Sequence, residues 1–233
     1  MTRYLIILLL FSTRQIYAGT VSDLIGDVRT MGMDPAFTGQ ELFTERQVTN
    51  LLNEAQKDTI SNTLCIREAY VFDTSSGTVY YNLPSNFIQI DRVLSDDQRL
   101  EEKSPAKLDL ASSEWETITG EPVNFFVNFS SRTKIGFYPY PVTNTTTTTV
   151  KVEYYARADV ITSTITPFNG ITEFTPFHPM LAYFAAARML YVVGMAAEGD
   201  RYMQRYMVNR ALFGEYCRAR PGYSPNVNVA PNR

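Results

Sequence analysis

A chain of 233 residues, 45% hydrophobic and with a net charge of −3, is long enough to bury a substantial core. Its small, evenly spread charge excludes a nucleic-acid binder that works by broad positive charge, and equally a polyacidic tail protein. Two cysteines and one histidine exclude a small disulfide framework and supply too few ligands for a zinc-type centre, so Cys65 and Cys217 are expected as buried free thiols.

Within residues 1–20, Arg3, the apolar run from Tyr4 to Phe11 and Ala18-Gly19 outline a secretory signal. Arg14, Gln15 and Ile16 spoil the approach to a cleavage site, so a packed N-terminal element and a misplaced start stand beside that reading. The run is too short to cross a bilayer as a helix. Val21, Leu24, Ile25 and Val28 recur at helical spacing from Val21 to Met31, with Thr20 or Ser22 to cap the start and Gly32 to end it. Thr44 with Gln47 forms a capping box for a longer helix whose apolar stripe is Val48, Leu51, Leu52 and Ala55. Its other side, with Asn50, Asn53, Glu54, Lys57 and Asp58, reads as a solvated face.

Residues 67–160 read as short strands broken by turns. A hairpin is expected between Glu68–Val71 and Thr78–Tyr81 around Asp73-Thr74-Ser75-Ser76-Gly77, and another between Val123–Phe129 and Thr133–Tyr138. The tip Ser95-Asp96-Asp97-Gln98 leaves both carboxylates solvated, with no reason for a catalytic pKa. Leu108 to Trp115 reads as a short helix or turn that lays Trp115 on the sheet as a packing anchor. A threonine-rich tip follows Asn144, and Val150 to Tyr155 alternates strictly as a closing strand.

Residues 161–220 return to helix. Pro179 suits a first turn, and Met180 to Met195 is apolar on nearly every side, which implies burial among helices or subunits. His178 reads as a surface or capping residue, without a partner at catalytic spacing. Gly199-Asp200 reads as the start of a last helix carrying Met203, Tyr206, Met207, Phe213 and Cys217 on one face and Arg201, Arg205, Arg210, Arg218 and Arg220 on the other. Arginine and tyrosine are favoured where surfaces meet, so Arg201, Arg205, Arg210, Arg218, Arg220 and Tyr223 are the candidate interface residues. Residues 221–233, with three prolines and no periodicity, read as a flexible tail. The expected fold class is therefore α+β: a helical bundle from residues 21–66 and 161–220 with an inserted antiparallel β domain at 67–160.

The order of these pieces resembles the head-to-tail adaptor, or connector, proteins of tailed bacteriophages. The likeness lies in Tyr81 to Val93 (YNLPSNFIQIDRV), Leu108 to Trp115, Gly120-Glu121-Pro122, Ile135 to Pro141 (IGFYPYP), Val152 to Tyr155, and the entry Phe174-Thr175-Pro176-Phe177-His178-Pro179 into two helices. The resemblance implies a non-enzymatic virion protein without cofactors. It would assemble in the host cytoplasm as a ring, commonly of twelve copies, between the portal protein and a tail or nozzle protein. Such a ring lines the path of exiting DNA, for which Lys103, Lys107, Arg132 and Lys134 are candidate non-specific contacts. No membrane partner is implied. The competing expectation is a secreted or periplasmic β-rich binding protein, resting on residues 1–20 and on the triplets Asn128-Phe129-Ser130 and Asn144-Thr145-Thr146.

Overall fold

The computed structural model describes residues 20–32, 42–75, 78–111, 114–127, 133–141 and 149–220. The expectations for the N-terminal segment, the two glycosylation-type triplets, the threonine-rich tip and the C-terminal tail lie outside these residues. The fold class is α+β, and the chain divides into two compact units. Among the described residues, one is helical and comprises those up to Thr63 and from Ala158 to Cys217; the other comprises those from Leu64 to Arg157 with Arg218 to Arg220.

In the helical unit, α1 (Val21–Met31) and α2 (Glu45–Thr63) both pack against α4 (His178–Val192). Thr20 caps α1: its hydroxyl accepts from the Asp23 amide at 3.2 Å while the Asp23 carboxylate accepts from the Thr20 amide at 2.7 Å. Thr44 and Gln47 repeat this arrangement at α2, with 2.8 Å from the Thr44 amide to Gln47 Oε1. Each box satisfies two amide donors that a helix start leaves unpaired. Helix α4, apolar on nearly every side, is largely buried as its composition predicts, with Leu181, Ala182, Ala185, Ala186, Met189 and Leu190 fully buried, while Arg188 and Val192 are exposed.

The last helix, α5 (Ala196–Ala219), begins three residues before the expected Gly199 start. Gly194, at φ +82°, turns the chain out of α4, a conformation that costs glycine little. Gly199 serves packing instead: a Cβ there would lie 2.6 Å from the Tyr191 ring. Between the units' return at Ala158 and α4, residues 158–177 form an irregular strap closed by 3-10 turns at Pro167–Gly170 and Thr172–Phe177.

In the β unit, β1 (Arg67–Asp73), β8 (Thr149–Ala156), β3 (Phe87–Ser95) and β4 (Gln98–Arg99) form one sheet in that order. The second sheet runs β2 (Tyr80–Asn82), β7 (Lys134–Tyr138), β6 (Asn124–Val127), β5 (Glu101–Glu102). All pairings are antiparallel except β5 with β6. The expected hairpin across residues 73–77 is corrected: β1 pairs with β8 and β2 with β7, so this connection crosses between sheets. The β6–β7 hairpin forms as expected, whereas β8 sits inside its sheet, between β1 and β3. Asp96 and Asp97 make the two-residue β3–β4 turn with φ +44° and +66° and both are exposed. Helix α3 (Pro105–Ala111) and the turn Trp115–Thr117 lay Leu108 and Trp115 onto Phe126 and Tyr140, with Trp115 edge-on to Phe126 at 5.3 Å. Phe72 of the first sheet meets Tyr81 and Phe137 of the second at 5.1 and 6.3 Å, so aromatic contacts close the core between them. Cys65 and Cys217 are buried, but neither is a free thiol, which corrects the expectation of two reduced cysteines.

Candidate functional site

The arginines of α5 separate by environment. Tyr206, Phe213, Gly214 and Cys217 are buried, a narrow stripe at positions i, i+7, i+8 and i+11, which leaves most of the helix surface in solvent. Arg201, Arg205 and Arg218 are exposed, as are Met207 (52%) and Val208 (61%). Arg201 reaches Glu198 at 3.0 Å, a surface pair of small energetic weight, and Arg205 lies over the Tyr202 ring at 5.5 Å. Arg210 is different. Half-buried, it donates to Asp58 of α2 at 2.5 Å, and the same carboxylate accepts from the Tyr206 hydroxyl at 2.5 Å, with Thr59 Oγ1 3.0 Å from that hydroxyl. Burial and the Asp58 hydrogen bond both push the Tyr206 phenol well above its ordinary pKa, so it stays a donor. Arg220 is half-buried, and Tyr223 lies outside the described residues.

The expected solvated side of α2 holds at Asn50, Glu54 and Lys57, which are exposed, and is corrected at Asn53 and Asp58. Besides Asp58, Asn53 brackets the strap: its Oδ1 accepts from the Ile161 amide at 2.7 Å and its Nδ2 donates to the Ile161 carbonyl at 3.2 Å. Gln56, buried on the same helix, accepts from the Phe168 amide at 2.6 Å and donates to the Asp159 carbonyl at 2.7 Å. Phe168 is thereby held at φ +54°, an unusual conformation for a bulky residue, with its ring fully buried. There it stacks on Phe213 at 5.1 Å and meets Phe174 edge-on at 5.9 Å.

His178, expected at the surface, is 6% exposed beside Phe168, and neither ring nitrogen has a hydrogen-bond partner among the described residues. Burial pushes its pKa down to about 4, so the ring is neutral at pH 7.

On the β unit, Lys107 and Lys134 are exposed and Lys103 half-exposed, while Arg132 lies outside the described residues. Strand register puts Lys103 level with Phe126, two strands and two residues away from Lys134, roughly 12 Å in the backbone. The charge cluster that composition did not reveal is on the other sheet. Glu153 of β8 accepts from Arg92 at 2.6 and 2.8 Å, from Arg67 at 2.8 Å and pairs with Lys151 at 3.0 Å; Arg67 also binds Asp91. A register shift between Ile90 and Arg92 inserts Asp91 as an extra residue, so Asp91 and Arg92 both reach this cluster. The Arg92 hydrogen bond leads in holding the Glu153 carboxyl down to about 2.

Among the described residues no group of three or more His, Cys, Asp or Glu side chains could hold a metal ion, and no helix is long and apolar enough to cross a membrane. What the geometry offers is surface: one side of a helix bearing arginine, methionine and valine. A search of curated proteins finds no match to the chain. The family model for the SU10 adaptor protein matches residues 19–230. The chain therefore belongs to the SU10 adaptor protein family, a family of phage head-to-tail adaptors.

Proposed function

We propose that this protein is a structural, non-enzymatic virion component that forms an oligomeric ring between portal and tail and lines the DNA exit channel. The observation that carries the reading is the family match across residues 19–230. The exposed arginines and apolar residues of α5 support it, since such a face is suited to burial against protein. In this reading Arg201, Arg205, Arg218, Arg220 and Tyr223 contribute to contacts with the portal or with neighbouring copies. Arg210, committed to Asp58, contributes through the fold. Lys103, Lys107, Lys134 and Arg132 are the proposed non-specific DNA contacts, and assembly takes place in the host cytoplasm.

The test is co-sedimentation of the purified protein with its cognate portal, followed by electron microscopy of the complex. A ring of density beneath the portal is expected; absence of both co-sedimentation and a ring defeats the proposal. Isolated duplex DNA should bind weakly at physiological salt, with affinity falling further as salt rises, because only phosphate contacts are available to a channel.

A further inference from the structure

Sheet edges are usually short, charged or covered, because a free edge is a template for another strand. The two sheets of the β unit end in β1, β4, β2 and β5. Strands β4, β2 and β5 hold two or three residues each, whereas β1 holds seven and pairs with β8 residue for residue, without a bulge. It contains no proline or lysine, and its middle, Ala69-Tyr70-Val71-Phe72, is uncharged. Val71 is 55% exposed and Tyr70 37%. The Ala156 amide donates to the Ile66 carbonyl at 2.9 Å, in register with the β1–β8 ladder. Residues 66, 68, 70 and 72 therefore turn their backbone groups to β8, and those of Ala69, Val71 and Asp73 point outward.

A matching strand is written in the chain's own C-terminal sequence. Across residues 221–233 as a whole no period stands out, but Asn226-Val227-Asn228-Val229-Ala230 alternates between Pro225 and Pro231. Both prolines share parity with the valines, so the amides of Asn226, Asn228 and Ala230 remain as donors along one edge of an extended chain.

We infer that residues 226–230 of one copy add to β1 of a neighbouring copy as a further strand of its sheet. The strand runs antiparallel, the more stable arrangement per residue. Ala230, Asn228 and Asn226 then exchange backbone hydrogen bonds with Ala69, Val71 and Asp73, while Pro231 and Pro225 fall where no donor is needed. Val229 and Val227 lie beside Tyr70 and Phe72, whose rings are 5.2 Å apart, and aromatic residues opposite β-branched ones are favourable cross-strand pairs. A register shifted by one residue places the prolines at donor positions and takes the valines off the rings. The pairing rests on the ring reading above and adds to it a contact that links copies. Edge and added strand are different surfaces, so the contact runs head to tail, as a ring requires; β1 against β1 would stop at a dimer. From Arg220, the chain to Asn226 spans up to about 20 Å, which gives it reach to an adjoining copy.

The experiment uses the full-length protein assembled on its cognate portal, with ring mass read by mass photometry and folding by far-ultraviolet circular dichroism. Val71→Pro removes an outward amide and no bond to β8, so it should fold and reduce ring-sized complexes about tenfold. Asn228→Pro removes the facing donor and should do the same; it carries the test if Val71→Pro does not fold. The double variant Tyr70→Cys with Val229→Cys should oxidise into a ladder of covalent multimers on a non-reducing gel, since directly opposed residues of this pair type lie within disulfide range. Tyr70→Cys with Asn228→Cys, on opposite faces, should not. Proline variants that assemble like the wild type, cross-linking that ignores register, or a cross-link confined to the monomer each overturn the pairing between copies and leave the ring reading standing. A wild-type protein that forms no ring on the portal overturns both.

Discussion

Phe213→Ala is expected to cost the helical unit about 3–5 kcal/mol, the range for emptying a fully buried aromatic site. Phe213 is 0% exposed and its ring centroid lies 4.9 Å from those of both Phe174 and Phe177 and 5.1 Å from that of Phe168. All three of these aromatic neighbours come from the strap, whose backbone is tied to α2 through Asn53 and Gln56. Collapse into the vacated space is therefore restricted, which places the loss toward the upper half of the range. Urea unfolding followed at 222 nm measures it. A loss below about 1 kcal/mol would show that this aromatic cluster is not the keystone of the bundle.

Acid should weaken the helical unit through His178. Its folded pKa of about 4 lies below the ordinary 6.5, so the unfolded chain takes up the proton first. The stability that depends on a neutral His178 is fully present above pH 6.5 and is lost as pH falls from 6.5 through 4. At 1.36 kcal/mol per unit, the full loss is on the order of 3 kcal/mol. His178→Leu removes both the titration and two buried nitrogens that lack partners, and each such orphan costs about 1–3 kcal/mol. Thermal unfolding of the variant should therefore be flat between pH 6.5 and 4.5 where that of the wild type declines, with no loss at pH 7. Equal pH dependence in the two proteins would assign the decline to another group. Glu153 acts lower: held at about 2 against 4.5, it contributes stability above pH 4.5 that is lost as pH falls through 2. Trp115, the sole tryptophan, sits in the β unit and reports that transition by fluorescence.

The difference between what could and could not be read from the residues follows the range of the interactions. The caps Thr20–Asp23 and Thr44–Gln47 close over three residues, so their spacing reveals them. Helix α4 was legible because a surface apolar on nearly every side has one stable outcome, burial of most of it. Local turn chemistry at Asp73 misled because strand partners are chosen by registry across the sheet; β1 and β2 each found a strand more than fifty residues away. The same reason hid the site chemistry. Arg67, Asp91, Arg92 and Glu153 belong to three strands, and the bulge that turns Asp91 and Arg92 to one side leaves no mark on alternation. Asp58 and Arg210 are 152 residues apart, so each resembled a solvated helix charge until the helices were brought together. On α5 the arginine series was legible, but Met207, read as part of the apolar face with Tyr206 and Phe213, is 52% exposed, because the buried stripe of this helix is narrower than its apolar composition suggests.

The account holds that the chain works by contact inside the virion. Quantitative mass spectrometry of purified particles tests this most directly. The protein should be present in fixed, near-equal proportion to the portal subunit and should remain with DNA-emptied particles. Its absence from purified virions, or an abundance unrelated to that of the portal, would contradict the account.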